Sequence, residues 1–229
     1  MFRKLVALAV ACLLCAPGWA ETTSFESSAL LAAKDIELSK QKGDVVMTVF
    51  GQFVSFPLPK GFVQVAEGVE NNVFILQLVP IGESAIVWSQ TIKFIGGNGF
   101  ASGNPNSTPM QFSDSLADEF KRACPDSYAT LGFGPVKFGG HDGFAAVMSC
   151  GILNSVGKPY SHSALLITVK GERNYYTLEW IERGPGSKTP LELDRAKWED
   201  RFKQLIPIKL YPIIPEEKSP YPVCVRAAK

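Results

Sequence analysis

Two histidines and five cysteines are the side chains of this 229-residue chain best suited to chemistry, and their spacing narrows what that chemistry could be. His141 precedes Asp142 in the glycine-rich run Gly139-Gly140-His141-Asp142-Gly143, and His162 lies between Ser161 and Ser163 at the start of a strand-like stretch. A metal site draws several His, Cys, Asp or Glu ligands from recognisable spacings, and two isolated histidines provide no such set. A Ser-His-Asp arrangement needs a histidine beside an activated serine. Ser161 and Ser163 do not supply one, because neighbours on a strand point to opposite faces. The Gly-x-Ser-x-Gly elbow is absent. Each histidine is therefore expected to be an exposed or hydrogen-bonded polar residue.

Cys12 and Cys15 fall in the first twenty residues, leaving Cys124, Cys150 and Cys224. Ser149-Cys150-Gly151 could present a thiol nucleophile. In an oxidising compartment a disulfide between Cys124 and Cys150 is the stronger expectation, with Cys224 left over in Pro220-Tyr221-Pro222-Val223-Cys224. Closing that loop stabilises a fold by roughly 3 kcal/mol in the chain-entropy description. Gly96-Gly97-Asn98-Gly99 is not followed by Lys-Ser/Thr or a helix, and Gly132-Phe133-Gly134 lacks a third glycine at the dinucleotide-binding offset. Both are expected to be turns or bulges. Glu216-Glu217 lies in the tail, and no carboxylate pair of the kind a glycosidase needs can be placed from sequence. The aromatics Phe133, Phe138, Phe144, Tyr175, Tyr176, Trp180 and Trp198 are expected in the core, with the alternative that some line a pocket or interface. No catalytic, cofactor-binding or metal-binding residue is assigned.

The amino terminus has a basic head (Arg3, Lys4), an apolar run from Leu5 to Leu14 and a small-x-small ending at Gly18 and Ala20. That is the pattern of a signal peptide cut after Ala20. The run is too short for a hydrocarbon core of about 30 Å, which takes roughly 20 apolar residues. A lipobox-like reading at Cys12 would leave an unusually short apolar run. Export implies a periplasmic or secreted protein. Loss of Arg3 and Lys4 leaves 21 basic against 22 acidic residues, without the basic excess that nucleic-acid binding draws on. No later stretch is long and apolar enough to span a membrane. Asn106-Ser107-Thr108 matches a glycosylation sequon, taken as coincidental in a bacterial precursor.

The elements that must position these residues follow from periodicity. Residues 21–43 form a polar lead-in. Residues 45–50 and 53–56 read as a hairpin about Gly51-Gln52, stopped by Pro57 and Pro59. Residues 72–80 and 85–95 read as strands, joined by a turn at 81–84, and residues 96–109 as a long loop. A helix is expected over 115–124, with Phe112, Leu116, Phe120 and Cys124 in one stripe and Ser115 at its cap. Four strand-like runs follow, at 127–138, 143–153, 161–169 and 174–181. A second helix is expected over 190–205, capped by Thr189. Strands joined by short turns, with the helices apart, imply one α+β domain over 44–211 built on a single antiparallel β-sheet with two main helices. A proline-rich tail over 212–229 is expected to run along the surface.

Phe53-Val54-Ser55-Phe56-Pro57-Leu58-Pro59-Lys60-Gly61-Phe62 and the closing hairpin and helix over 165–205 resemble the opening and end of the PsbP-like fold, and more loosely the DcrB-like periplasmic proteins. The resemblance covers roughly residues 44–211. It implies an α/β/α sandwich and an accessory or assembly role in a periplasm or thylakoid lumen, with no catalytic set to carry over. The expected function is thus an exported, non-catalytic accessory protein of the bacterial envelope that binds a protein partner or a small apolar ligand. Binding is expected at the 96–109 loop and the sheet beside it. The alternatives are a secreted effector, or an exported hydrolase whose carboxylates the sequence does not locate.

Overall fold

The computed structural model describes residues 43–153 and 159–213. The expected signal peptide, nearly all of the lead-in, Cys224 and the tail beyond Ile213 lie outside the described residues.

The chain opens with the hairpin β1 (Asp44–Val49) and β2 (Gln52–Pro57), where Val49 pairs with Gln52 across Phe50 and Gly51. Both turn residues have positive φ, 48° and 85°, the signature of a type I′ turn that matches strand twist. Next comes β3 (Phe62–Glu70), paired with β4 (Val73–Pro80) through a second turn of this kind at Asn71 and Asn72, φ 49° and 66°. Asparagine tolerates that region because its short side chain bonds locally. β5 (Gln90–Gly97) follows, then α1 (Pro109–Ala123), which carries the chain across the sheet. β6 (Tyr128–Phe138), β7 (His141–Leu153), β8 (Tyr160–Lys170) and β9 (Tyr175–Pro185) form an antiparallel meander. α2 (Arg195–Leu205) and β10 (Lys209–Pro212) complete the described chain.

The fold is α+β as expected, but it holds two antiparallel sheets rather than one. A seven-stranded sheet has the order β3-β4-β5-β9-β8-β7-β6, and a three-stranded sheet the order β1-β2-β10. The difference lies in residues 209–212: past Pro207, which stops α2, they pair with β2, setting Leu210 opposite Val54. Gly96 makes room for the small sheet, because a Cβ there would lie 2.8 Å from Val49 Cγ1.

Each face of the large sheet has its own core. Tyr176, Leu178 and Trp180 of β9 enter the first, with Val45, Phe56, Phe94, Trp198 and Leu205, between the large sheet and the layer formed by the small sheet and α2. Tyr175 and Ile181 enter the second, with Phe112, Leu116 and Phe120 of α1. Burying those three α1 side chains contributes about 2 kcal/mol each. Glu182 on β9 pairs with Lys197 and Arg201, pinning α2 to the sheet. One outer layer of the expected α/β/α sandwich is therefore mixed.

Three expected elements move. α1 begins at Pro109, not residue 115. Thr108 is its N-cap: the Thr108 hydroxyl accepts from the Gln111 N–H at 3.2 Å, and the Gln111 side chain accepts from the Thr108 N–H at 2.9 Å. Ser115 instead donates to the Gln111 carbonyl within the helix. α2 begins at Arg195 because Asp194, not Thr189, caps it, accepting from the N–H groups of Ala196 and Lys197. β5 begins at Gln90 rather than residue 85, because the Glu83 carboxylate accepts from Ser89 N–H at 2.7 Å and Ser89 Oγ at 2.6 Å and closes residues 83–89 into a loop. β3 was not among the expected strands: most of its residues are exposed or half-buried, so it lacks strong apolar periodicity.

Candidate functional site

His162 stands on β8 opposite Cys150 of β7 and Arg183 of β9. Cys150 is joined by a disulfide to Cys124 at the end of α1, so the helix end is held covalently to β7, whose Cys150 is the register partner of His162. The His162 ring meets Phe120 edge-on at 5.6 Å and Trp88 at 6.3 Å between centroids. It is only 4% exposed, and its Nε2 is buried without a hydrogen-bond partner. This corrects the expected exposed or hydrogen-bonded histidine: Trp88 and Phe120 close over the ring from the loop and the helix. Burial first, then the positive charges of Lys93 and Arg183, push the His162 pKa down to about 3. The imidazole is neutral at physiological pH. His141, in contrast, is half-buried at the first position of β7 after the Gly139-Gly140 turn.

Arg183 presents its guanidinium to two rings, with Cζ 3.5 Å from the Trp88 centroid and 4.6 Å from that of Tyr160. It also hydrogen-bonds Tyr160. Its Nε, like His162 Nε2, is buried and unpartnered. Stacking on aromatic faces suits arginine, whose guanidinium is planar and weakly hydrated.

A second polar feature lies further along the same face. Glu179 of β9 sits opposite Lys93 of β5 and Leu166 of β8. It is 5% exposed, and burial pushes its pKa up to about 7 against the opposing pull of Lys93. His162 and Glu179 do not form a dyad. Ala164 and Ile181 form the same-face pair between their positions, so about 13 Å of strand separates them at roughly 3.3 Å per residue.

Among the described residues one other carboxylate, Glu67, is raised, by partial burial. Glu67 pairs with Leu76, which enters the first core, whereas Ile181, two residues from Glu179 on its strand face, enters the second. Glu67 and Glu179 are therefore on opposite faces. They are also three strands apart, about 14 Å at 4.8 Å per strand, so they cannot flank one glycosidic bond as a carboxylate pair must. No group of three His, Cys, Asp or Glu able to hold a metal ion occurs among the described residues.

The 96–109 loop is tied down. Lys170 Nζ donates to the carbonyls of Pro105 and Ser107 at 2.6 and 2.7 Å, and Tyr175 Oη donates to the Ser107 carbonyl at 2.7 Å. Gly99 N–H donates to Asn174 Oδ1 at 2.9 Å. Gly96 and Gly97 belong to β5, and Gly132 and Gly134 bracket a β-bulge. The conspicuous apolar surface is in the preceding loop: Ile81, Ile86 and Val87 are 71, 82 and 74% exposed. Sequence reasoning placed Ile86 and Val87 in a strand and so missed them. The signal available was Glu83 and Ser89, two polar residues spaced to bond across the loop. Of the aromatics expected in the core, Phe138, Tyr175, Tyr176, Trp180 and Trp198 are there, while Phe144 is only half-buried and Phe133 is partly buried and stacks on Phe202 at 5.9 Å.

No protein-family profile matches the chain, and no curated protein sequence does. Among solved structures the chain is similar to the solution structure of cyanobacterial PsbP (CyanoP) from Synechocystis sp. PCC 6803, with a TM-score of 0.41 and 10% identity over 81% of this chain and 93% of that one. A crystal structure from Bacteroides thetaiotaomicron VPI-5482 matches with a TM-score of 0.37 and 13% identity over 75% of this chain. The chain spans about half, 51%, of that protein's length. The PsbP match is consistent with the loose PsbP-like resemblance of the sequence.

Proposed function

We propose that this is an exported, non-catalytic accessory protein of the bacterial envelope that binds another protein through the 81–89 loop. The supporting observation is the apolar tip of Ile81, Ile86 and Val87, held in shape rather than left slack. Glu83 accepts two hydrogen bonds from Ser89, and the Val87 N–H donates to Ser84 Oγ. Three large β-branched side chains on a braced loop resemble the apolar centre of an interface more than a chance surface. Ile81 N–H also donates to the Gly61 carbonyl, fixing the loop beside the edge strand β3. Export is supported by the amino-terminal pattern ending at Ala20.

The test is photo-crosslinking from Ile86 in intact cells. A discrete adduct that disappears when Ile81 and Val87 are both replaced by Asp, with the melting transition of the purified protein unchanged, supports the proposal. Adducts spread over many proteins and unaffected by I81D/V87D contradict it.

A further inference from the structure

Two buried nitrogens that lack partners lie on directly opposed residues of one strand pair, His162 Nε2 on β8 and Arg183 Nε on β9. Buried polar groups are almost always hydrogen-bonded, and leaving one unpaired costs about 1–3 kcal/mol. With His162 in its Nε2–H tautomer, the two N–H groups of this register pair can share one acceptor. The surroundings favour a negative one. Arg183 forms no ion pair among the described residues and instead faces the rings of Trp88 and Tyr160. Lys93 adds positive potential at His162. The acid on this face, Glu179, lies about 13 Å of strand away, and burial raises its pKa to about 7, so that it is only about half ionised at pH 7.

We propose that His162 and Arg183 form a subsite for a single carboxylate group, lying against Trp88, Tyr160 and Phe120. A neutral imidazole N–H and a guanidinium N–H can each donate to one carboxylate. The flanking rings favour a flat, singly charged group over a phosphate dianion, whose desolvation costs more. The disulfide from Cys150, the register neighbour of His162, to Cys124 ties β7 beside His162 to the end of α1. Trp88 of the 81–89 loop packs against both residues, and the subsite stands whether or not the exposed tip docks a protein.

The chain has two histidines, which makes imidazole 15N spectroscopy a direct probe. Histidine-labelled protein at pH 7 is titrated with sodium acetate and sodium benzoate, and with sodium phosphate and sodium chloride at matched ionic strength. The expected result is a saturable shift of the His162 nitrogens with the carboxylates only, while His141 follows ionic strength alone. Arg183→Met, which keeps an apolar stem between the rings, should weaken the carboxylate response at least tenfold with the His162 signal still visible. Arg183→Gln serves if that variant does not fold. A saturable response of equal size to phosphate or chloride overturns the carboxylate assignment. An Nε2–H in contact with a long-lived water that no carboxylate displaces overturns the subsite altogether.

Discussion

Lowering the pH sets His162 against Glu179, and the balance can be worked out residue by residue. His162 titrates at about 3 when folded and near 6.5 when unfolded. Between those values the unfolded chain binds the extra proton, so this group's contribution to stability is complete above about pH 6.5 and is lost as pH falls toward 3. Glu179 runs the other way. Its folded pKa of about 7 exceeds the model-peptide value near 4.5, so the folded protein holds a proton that the unfolded chain releases. Its contribution is complete below about pH 4.5 and is lost as pH rises toward 7.

Each slope is about 1.4 kcal/mol per pH unit while its group titrates in one state only. Over the shared window, roughly pH 4.5 to 6.5, the two nearly cancel. Below that window His162 acts alone and takes away about 2 kcal/mol between pH 4.5 and 3, out of about 5 kcal/mol over its whole span from pH 6.5. Urea unfolding of the wild type and of two single variants, repeated every half pH unit, separates the terms. Relative to wild type, Glu179→Gln should add a rise in stability with pH of about 1.4 kcal/mol per unit across the window. His162→Phe, which keeps a ring between Trp88 and Phe120, should add a fall of similar size and resist acid better below pH 4.5. Variant profiles parallel to wild type throughout would refute the assignment of buried neutral groups.

Three further outcomes follow from packing and chain connectivity. Replacing Cys124 and Cys150 together by Ser removes the cross-link closing a 26-residue separation and should cost roughly 3 kcal/mol in urea unfolding, an effect that reductant reproduces in the wild type. Gly96→Ala forces a methyl to within 2.8 Å of Val49 Cγ1 and should destabilise by about 1–3 kcal/mol. The double variant with Val49→Ala should lose less than the sum of the single losses. Thr108→Ala removes the α1 cap and should cost about 1 kcal/mol, seen as faster hydrogen exchange in the first turn of α1.

Much of the framework was legible from local pattern. The β1–β2 hairpin (its turn at Phe50-Gly51, one residue before the expected Gly51-Gln52), the continuous apolar run of β4 and the stripe Phe112, Leu116, Phe120 depend on neighbours a few residues apart. The small sheet was not, because it depends on residues 209–212 meeting β2 from some 150 positions away. The helix starts were misplaced because two competing caps were present in each case, and the choice between Thr108 and Ser115, or Asp194 and Thr189, is made by where the chain enters the core. The His162 environment was hidden for a similar reason. Its depth comes from Trp88 and Phe120, which no spacing along the chain brings to it.

Export is the condition on which both the envelope role and the persistence of the Cys124–Cys150 bond rest. Intact mass of the protein from its native envelope fraction, with and without reduction, tests it most directly. A polypeptide beginning at Glu21 that gains two hydrogens on reduction is the expected result. A mass that retains Met1, or carries lipid on Cys12, and does not change on reduction would contradict the proposed compartment and the envelope role with it.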